Sequence, residues 1–136
     1  MRSRSIYVFL VFTFIAVISC NEIKETQSIE GNWKVISLKT LTNFEDPPNF
    51  LINLETMKIA GFSGCNRFFG DIIKKNKNLT FQHMGGTRKA CIDFEVENTF
   101  ITAISEVKSF KFNKNKLLLL SESNDIVMIL KANNPE

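Results

Sequence analysis

The side chains in this 136-residue sequence with chemical potential are one histidine, three cysteines, a short run of carboxylates and three cations beside glycines. His83 suits general-base work or metal ligation. It follows Leu79 and Phe81 in alternation, however, which puts it on a strand among packing residues, with no second histidine or nucleophile motif beside it. Asp93, Glu95 and Glu97 resemble paired catalytic carboxylates, but all three open a helical pattern. Asp93 is read as the N-cap, and Glu95 and Glu97 as first-turn acids favoured by the helix dipole. Arg67, Arg88 and Lys89 can converge as an anion site beside glycine backbone. Arg67 is expected to bond loop carbonyls while Arg88 and Lys89 are solvated. A single histidine with three cysteines excludes a zinc centre of the usual composition. No catalytic residue, metal or cofactor is expected.

The cysteines divide by position. Arg2 and Arg4 precede an uncharged apolar run over residues 6–19, shorter than the roughly 18–20 residues that span a bilayer. The run ends Val17-Ile18-Ser19-Cys20, which resembles a bacterial lipobox. Residues 1–19 are therefore read as a signal peptide and Cys20 as the lipidated (palmitate-bearing) residue; a plain signal or an uncleaved anchor is the alternative. Removing Arg2 and Arg4 takes away most of the formal charge of +3, so the basicity is a targeting feature, and nucleic acid is excluded as a partner. Residues 20–30 are polar and aperiodic and read as a tether. Asn21 after the lipid position points to the outer membrane, on its periplasmic or surface face. Cys65 and Cys91 remain as an even pair in an oxidising compartment, read as a disulfide rather than two buried thiols.

One domain, residues 31–133, must position these groups. Strands are expected over residues 33–41, 50–54, 57–62, 71–75, 79–84, 110–112, 117–120 and 126–130, from period-2 alternation and short apolar runs between turn residues. Asn76-Lys77-Asn78 suits a hairpin. Val96, Phe100, Ala103, Ile104 and Val107 recur with helical spacing. The fold expected is mainly β (α+β): a small curved antiparallel sheet or open barrel of about eight short strands, with one helix packed against it. Gly61, Gly64 and Gly70 are half of the chain's six glycines and mark a backbone bend, with Asn66 suited to an αL turn. Phe62, Phe68 and Phe69 beside them form either a recognition patch or core, core being the commoner fate.

Gly31-Asn32-Trp33, then Gly64-Cys65-Asn66-Arg67-Phe68 with Gly70, then Thr87-x-x-Ala90-Cys91, and a helix bearing Glu97 and Phe100, occur in an order that resembles the META domain, or heat-shock protein HslJ-like, family. Lys89 departs from the methionine usual there. The resemblance implies a compact β-rich envelope protein, often a lipoprotein, associated with heat-shock response and resistance to certain antibiotics. It implies no known catalysis, and its fold is similar to that of secretin pilot lipoproteins. The expected function is that of a non-catalytic, monomeric envelope lipoprotein for stress tolerance or assembly, binding the membrane through its lipid and another envelope protein through its domain. The rival readings are a hydrophobic ligand or acyl chain held in a cracked barrel, and inhibition of a secreted protease through the loop at residues 43–49.

Overall fold

The computed structural model describes residues 27–92 and 94–133. The expected signal peptide, Cys20, the expected tether up to residue 26, and Asp93 lie outside the described residues. Eight antiparallel strands and one helix follow in order: β1 (Gly31–Leu38), β2 (Asn49–Asn53), β3 (Lys58–Phe62), β4 (Arg67–Lys75), β5 (Asn78–Gly86), α1 (Glu95–Glu106), β6 (Ser109–Asn113), β7 (Lys116–Leu120) and β8 (Ile126–Ala132). Each strand pairs with its chain neighbour, and β1 also pairs with β8. The sheet is thus curled on itself, as the pattern of short alternating runs requires.

Alternation sets the inner face. Trp33, Val35 and Leu38 of β1, Phe50 and Ile52 of β2, Ile59 of β3, Phe68 and Ile72 of β4, and Leu79 and Phe81 of β5 are buried in one cluster. The segment read as a tether is packed from Gln27 onward. Ile29 is 1% exposed, its carbonyl accepts the Trp33 indole N–H at 2.8 Å, and Gln27 Nε2 donates to the Lys114 carbonyl. Trp33 in turn lies against Phe112, with ring centroids 6.3 Å apart.

α1 covers one end of the curl. Phe100, Ala103 and Ile104 face inward, and the Phe100 ring meets Phe68 at 5.0 Å and Phe50 at 6.1 Å. The residue before the helix, Phe94, makes no side-chain cap. At the other end, Lys39 after β1 pairs with Glu106 at 2.7 Å. Among the described residues no helix is long and apolar enough to cross a membrane.

The seam of the sheet is β5/β6. These strands share one register pair, Asn78↔Ser109, held by Leu79 N to the Lys108 carbonyl and Phe110 N to the Lys77 carbonyl. Lys77 and Lys74 lie over the Phe110 ring at 4.9 and 5.6 Å, covering the join. Beyond that pair β5 has no β6 ladder, and α1 lies across the opening.

The glycine run also has a packing reason. Gly61 stands between Phe50 and Phe68 in the register. A Cβ there would overlap the Asn49 carbonyl oxygen and approach the Phe50 Cα to 2.6 Å, so only glycine lets β2 and β3 come together at this point. The loop at residues 43–49 does not stand away from the body: Val35 N donates to the Pro48 carbonyl and Phe44 packs against the core.

Candidate functional site

The β3–β4 hairpin closes through Ser63-Gly64-Cys65-Asn66, between the register pair Phe62↔Arg67. Ser63 N donates to the Asn66 carbonyl at 2.9 Å, and Gly64 takes the left-handed turn at φ +107°. A side chain at Gly64 would also strike Val96 at the start of α1. The bend expected at this stretch is present, but Gly64, and not Asn66, supplies the positive φ.

Asn66 has a different job. It is 7% exposed, and its side chain joins three segments. Nδ2 donates to Glu97 Oε2 at 2.9 Å, while Oδ1 accepts from Thr87 Oγ1 at 2.8 Å and from Lys89 N at 2.7 Å. Thr87 Oγ1 accepts from Arg67 N, and Thr87 N donates to the Arg67 carbonyl. Arg67 therefore enters the loop through its main chain, not through its guanidinium. Cys65 and Cys91 flank this knot and are joined by a disulfide, with Cα atoms 6.2 Å apart.

Glu97 does more than complement the helix dipole. Assigned to the helix dipole, it is instead 6% exposed and turned into the knot. Its Oε1 lies 2.7 Å from Ser63 Oγ and 3.2 Å from Asn66 N. Ser63 Oγ is also 2.8 Å from the Asn66 carbonyl, so its one proton serves two acceptors. Among the described residues no buried side-chain nitrogen or oxygen lacks a partner. The spacing Glu97, Phe100, Ile104 carried the signal, since i, i+3 and i+7 share one helix face. Cys65, Cys91 and Glu97 bring their ligand atoms within 4.8 Å. Metal binding needs thiolates, which the disulfide removes, and the carboxylate is engaged.

The loops of the knot also form one wall of a groove between β5 and α1, with a volume of about 670 Å³. The buried Phe68, Phe81, Phe100 and Ile104 line it, and so do Arg67, Arg88 and Lys89, which follow the hairpin loop and the Gly85-Gly86 pair in the chain.

The sequence profile of the META domain matches residues 25–134. The chain belongs to this family. Two solved structures share the fold. One is an NMR structure of a protein from Burkholderia xenovorans, 20% identical, with a TM-score of 0.55, covering 77% of this chain and 79% of that one. The other is an NMR structure 25% identical, with a TM-score of 0.58, covering 75% of this chain and 88% of that one. No curated protein matches the chain. In this META domain the Gly-Cys-Asn-Arg and Thr-x-x-Ala-Cys motifs are two sides of a single hydrogen-bonded junction, with α1 supplying the third through Glu97.

His83 departs from its expected place. It lies on β5, but its side chain is 79% exposed. Between Phe69↔Gly85 and Asp71↔Gln82 the register slips, so His83 and Met84 together oppose Gly70. His83 takes φ 48°, and the bulge turns it out of the alternation begun by Leu79 and Phe81. Gly70 leaves room for the bulge, since a Cβ there would press on the Gln82 carbonyl oxygen at 3.0 Å and displace the Met84 side chain. Outside, His83 Nδ1 meets Asp71 Oδ2 at 2.7 Å, and Lys58 Nζ meets Asp71 Oδ1.

The Lys58 hydrogen bond, then the one from His83, holds the Asp71 carboxyl below the ordinary aspartate range. A carboxylate so lowered favours the folded state above its unfolded pKa, and that contribution disappears as pH falls through the folded value. Asp71→Asn should therefore cost a small amount of stability near neutrality. The gap to wild type should close as the pH falls through the acid range below the ordinary aspartate value. Urea midpoints of both proteins across that range check this; a gap that widens in acid contradicts it.

Proposed function

We propose that this META domain chain is a non-catalytic cell-envelope lipoprotein. It is exported on residues 1–19, held at the outer membrane by lipid on Cys20, and acts in stress tolerance or envelope assembly by binding another envelope protein as a monomer. The observation that carries the reading is that the groups best suited to chemistry serve as scaffold. Ser63, Asn66, Thr87 and Glu97 bond one another, and Cys65 bonds Cys91. A site built for turnover leaves a nucleophile or base facing substrate.

A second feature supports protein binding. Leu51, Ala60 and Phe69 are cross-strand neighbours over β2, β3 and β4, with Leu51 42% and Phe69 61% exposed. Of the two expectations for Phe68 and Phe69, patch or core, each residue meets one, because β4 starts at Arg67 and its alternation sends Phe68 in and Phe69 out. The Phe69 ring covers Gly85 on the neighbouring strand and presents its other face to solvent. Exposed aromatics at the centre of a patch are common anchors of interfaces.

Cross-linking in membranes of cells carrying the full chain tests this. One envelope protein should cross-link, and Phe69→Glu should remove it while leaving the melting curve unchanged. Cys20→Ala should abolish labelling by radioactive palmitate and release the chain from the membrane. Undiminished labelling rules out the anchor, and a cross-link indifferent to Phe69→Glu rules out this face.

A further inference from the structure

We propose that the groove between β5 and α1 binds a free single-chain fatty-acid carboxylate, with its tail on the phenylalanine floor and its head at Arg67, Arg88 and Lys89. This goes beyond the anchoring and protein-binding reading and does not depend on it. The groove's volume of about 670 Å³ lies within the range of small-ligand sites. It exists because β6 leaves β5 after one register pair, so that α1 covers the opening without sealing it.

The groove is polarised along its length. Its floor of Phe68, Phe81, Phe100 and Ile104 is buried, while Met84 and Ile101 form half-open lips, 40% and 55% exposed. α1 starts at the hairpin loop, where Glu97 meets Asn66, and ends near the seam. All three cations therefore stand at the end where the helix starts, and Phe81 and Ile104 lie towards the other. Glu97, the carboxylate that also lines the groove, is already held by Ser63 and Asn66. The mouth thus carries an excess of positive charge above an apolar channel, which complements a molecule with one anionic end and one apolar end. From Glu97 to Ser105 the helix runs about 12 Å, the reach of a medium-length chain.

An extended peptide fits less well. Adding a strand to β5 needs a continuous ladder, and the bulge at His83 and Met84 interrupts it.

The test adds dodecanoate carrying a terminal diazirine and an alkyne to membranes containing the full chain, followed by illumination and peptide mapping. Label should fall on the β5 and α1 peptides. Excess dodecanoate should compete it away, while dodecanol or dodecyltrimethylammonium at the same concentration should compete poorly. Arg88→Glu/Lys89→Glu, at two exposed side chains outside the hydrogen-bonded knot, should lower labelling at least about tenfold, the scale of lost charge-assisted bonds. Ile101→Glu, at an exposed lip, should lower it similarly. Label on the Leu51–Phe69 face, equal competition by the cationic chain, or undiminished labelling in both variants would overturn the proposal.

Discussion

Asn66→Ala is expected to cost about 3–5 kcal/mol, the scale for breaking a buried charged partner out of its network. The substitution removes the donor to Glu97 Oε2 and the acceptor for both Thr87 Oγ1 and Lys89 N. Glu97 then keeps Ser63 and the Asn66 main chain but loses the amide that faced its second oxygen. For a domain of about 100 residues this corresponds to a fall in melting temperature on the order of 15–25 °C. Thermal and urea unfolding of the variant measure it. Asn66→Asp should be at least as harmful, since it sets a second carboxylate against Glu97 where an amide had donated. Pairing Asn66→Ala with Glu97→Ala separates a network from a sum of contacts. Removing the carboxylate also removes the group that was left unpaired, so the double variant should lose clearly less than the two singles added together. Strict additivity, or a loss under about 1 kcal/mol for Asn66→Ala, would mean that the junction is not cooperative.

Local periodicity made most of the frame readable. The helix was legible from Phe100, Ala103, Ile104 and Val107, and all four are buried. The strands were legible wherever alternation ran undisturbed, as in Trp33 and Val35. The errors cluster where a neighbouring strand decides the outcome. Nothing local to Leu79-Thr80-Phe81-Gln82-His83 announces that two residues will oppose Gly70, a strand away, so alternation alone puts His83 on the wrong side. Residues 67–70 looked like part of a glycine turn, and that obscured the alternation putting Phe68 inside and Phe69 outside. Asn66 was read by its own backbone preference, while its work is done with groups up to 31 residues away. Glu97 had a visible signal in its helical spacing, hidden by an adequate explanation at the helix terminus. Sequence patterns report the face a residue occupies; they report its partner only when that partner is nearby in the chain. The candidate site consists almost wholly of distant partners.

The disulfide is the second large term. It joins the β3–β4 hairpin loop to the segment leading into α1, across a sequence separation of 26 residues. Closing a loop of that size lowers the entropy of the unfolded chain enough to contribute roughly 3.5 kcal/mol in the chain-entropy model. Cys65→Ser should therefore lower the melting temperature on the order of 15–25 °C. Wild type unfolded in the presence of a dithiol reductant should melt near the variant, and mass spectrometry should find the oxidised chain lighter by two hydrogens. Position suggests that the bridge does more than tie loops together. Asn66 follows Cys65 directly, and its Nδ2 lies 3.6 and 3.9 Å from the two sulfurs. Releasing the bridge frees the loop that orients this amide toward Glu97, so its loss and the loss of Asn66 should overlap. If the bridge acted only on the unfolded chain, Cys65→Ser/Asn66→Ala would lose the sum of the two single effects. If it also holds the knot in register, the double variant loses less than that sum, and the shortfall measures how much of the staple's effect is exerted in the native state. An unchanged melting curve for Cys65→Ser, or for the reduced wild type, would remove the disulfide from both accounts and leave the hydrogen bonds of Asn66 to hold the loops alone.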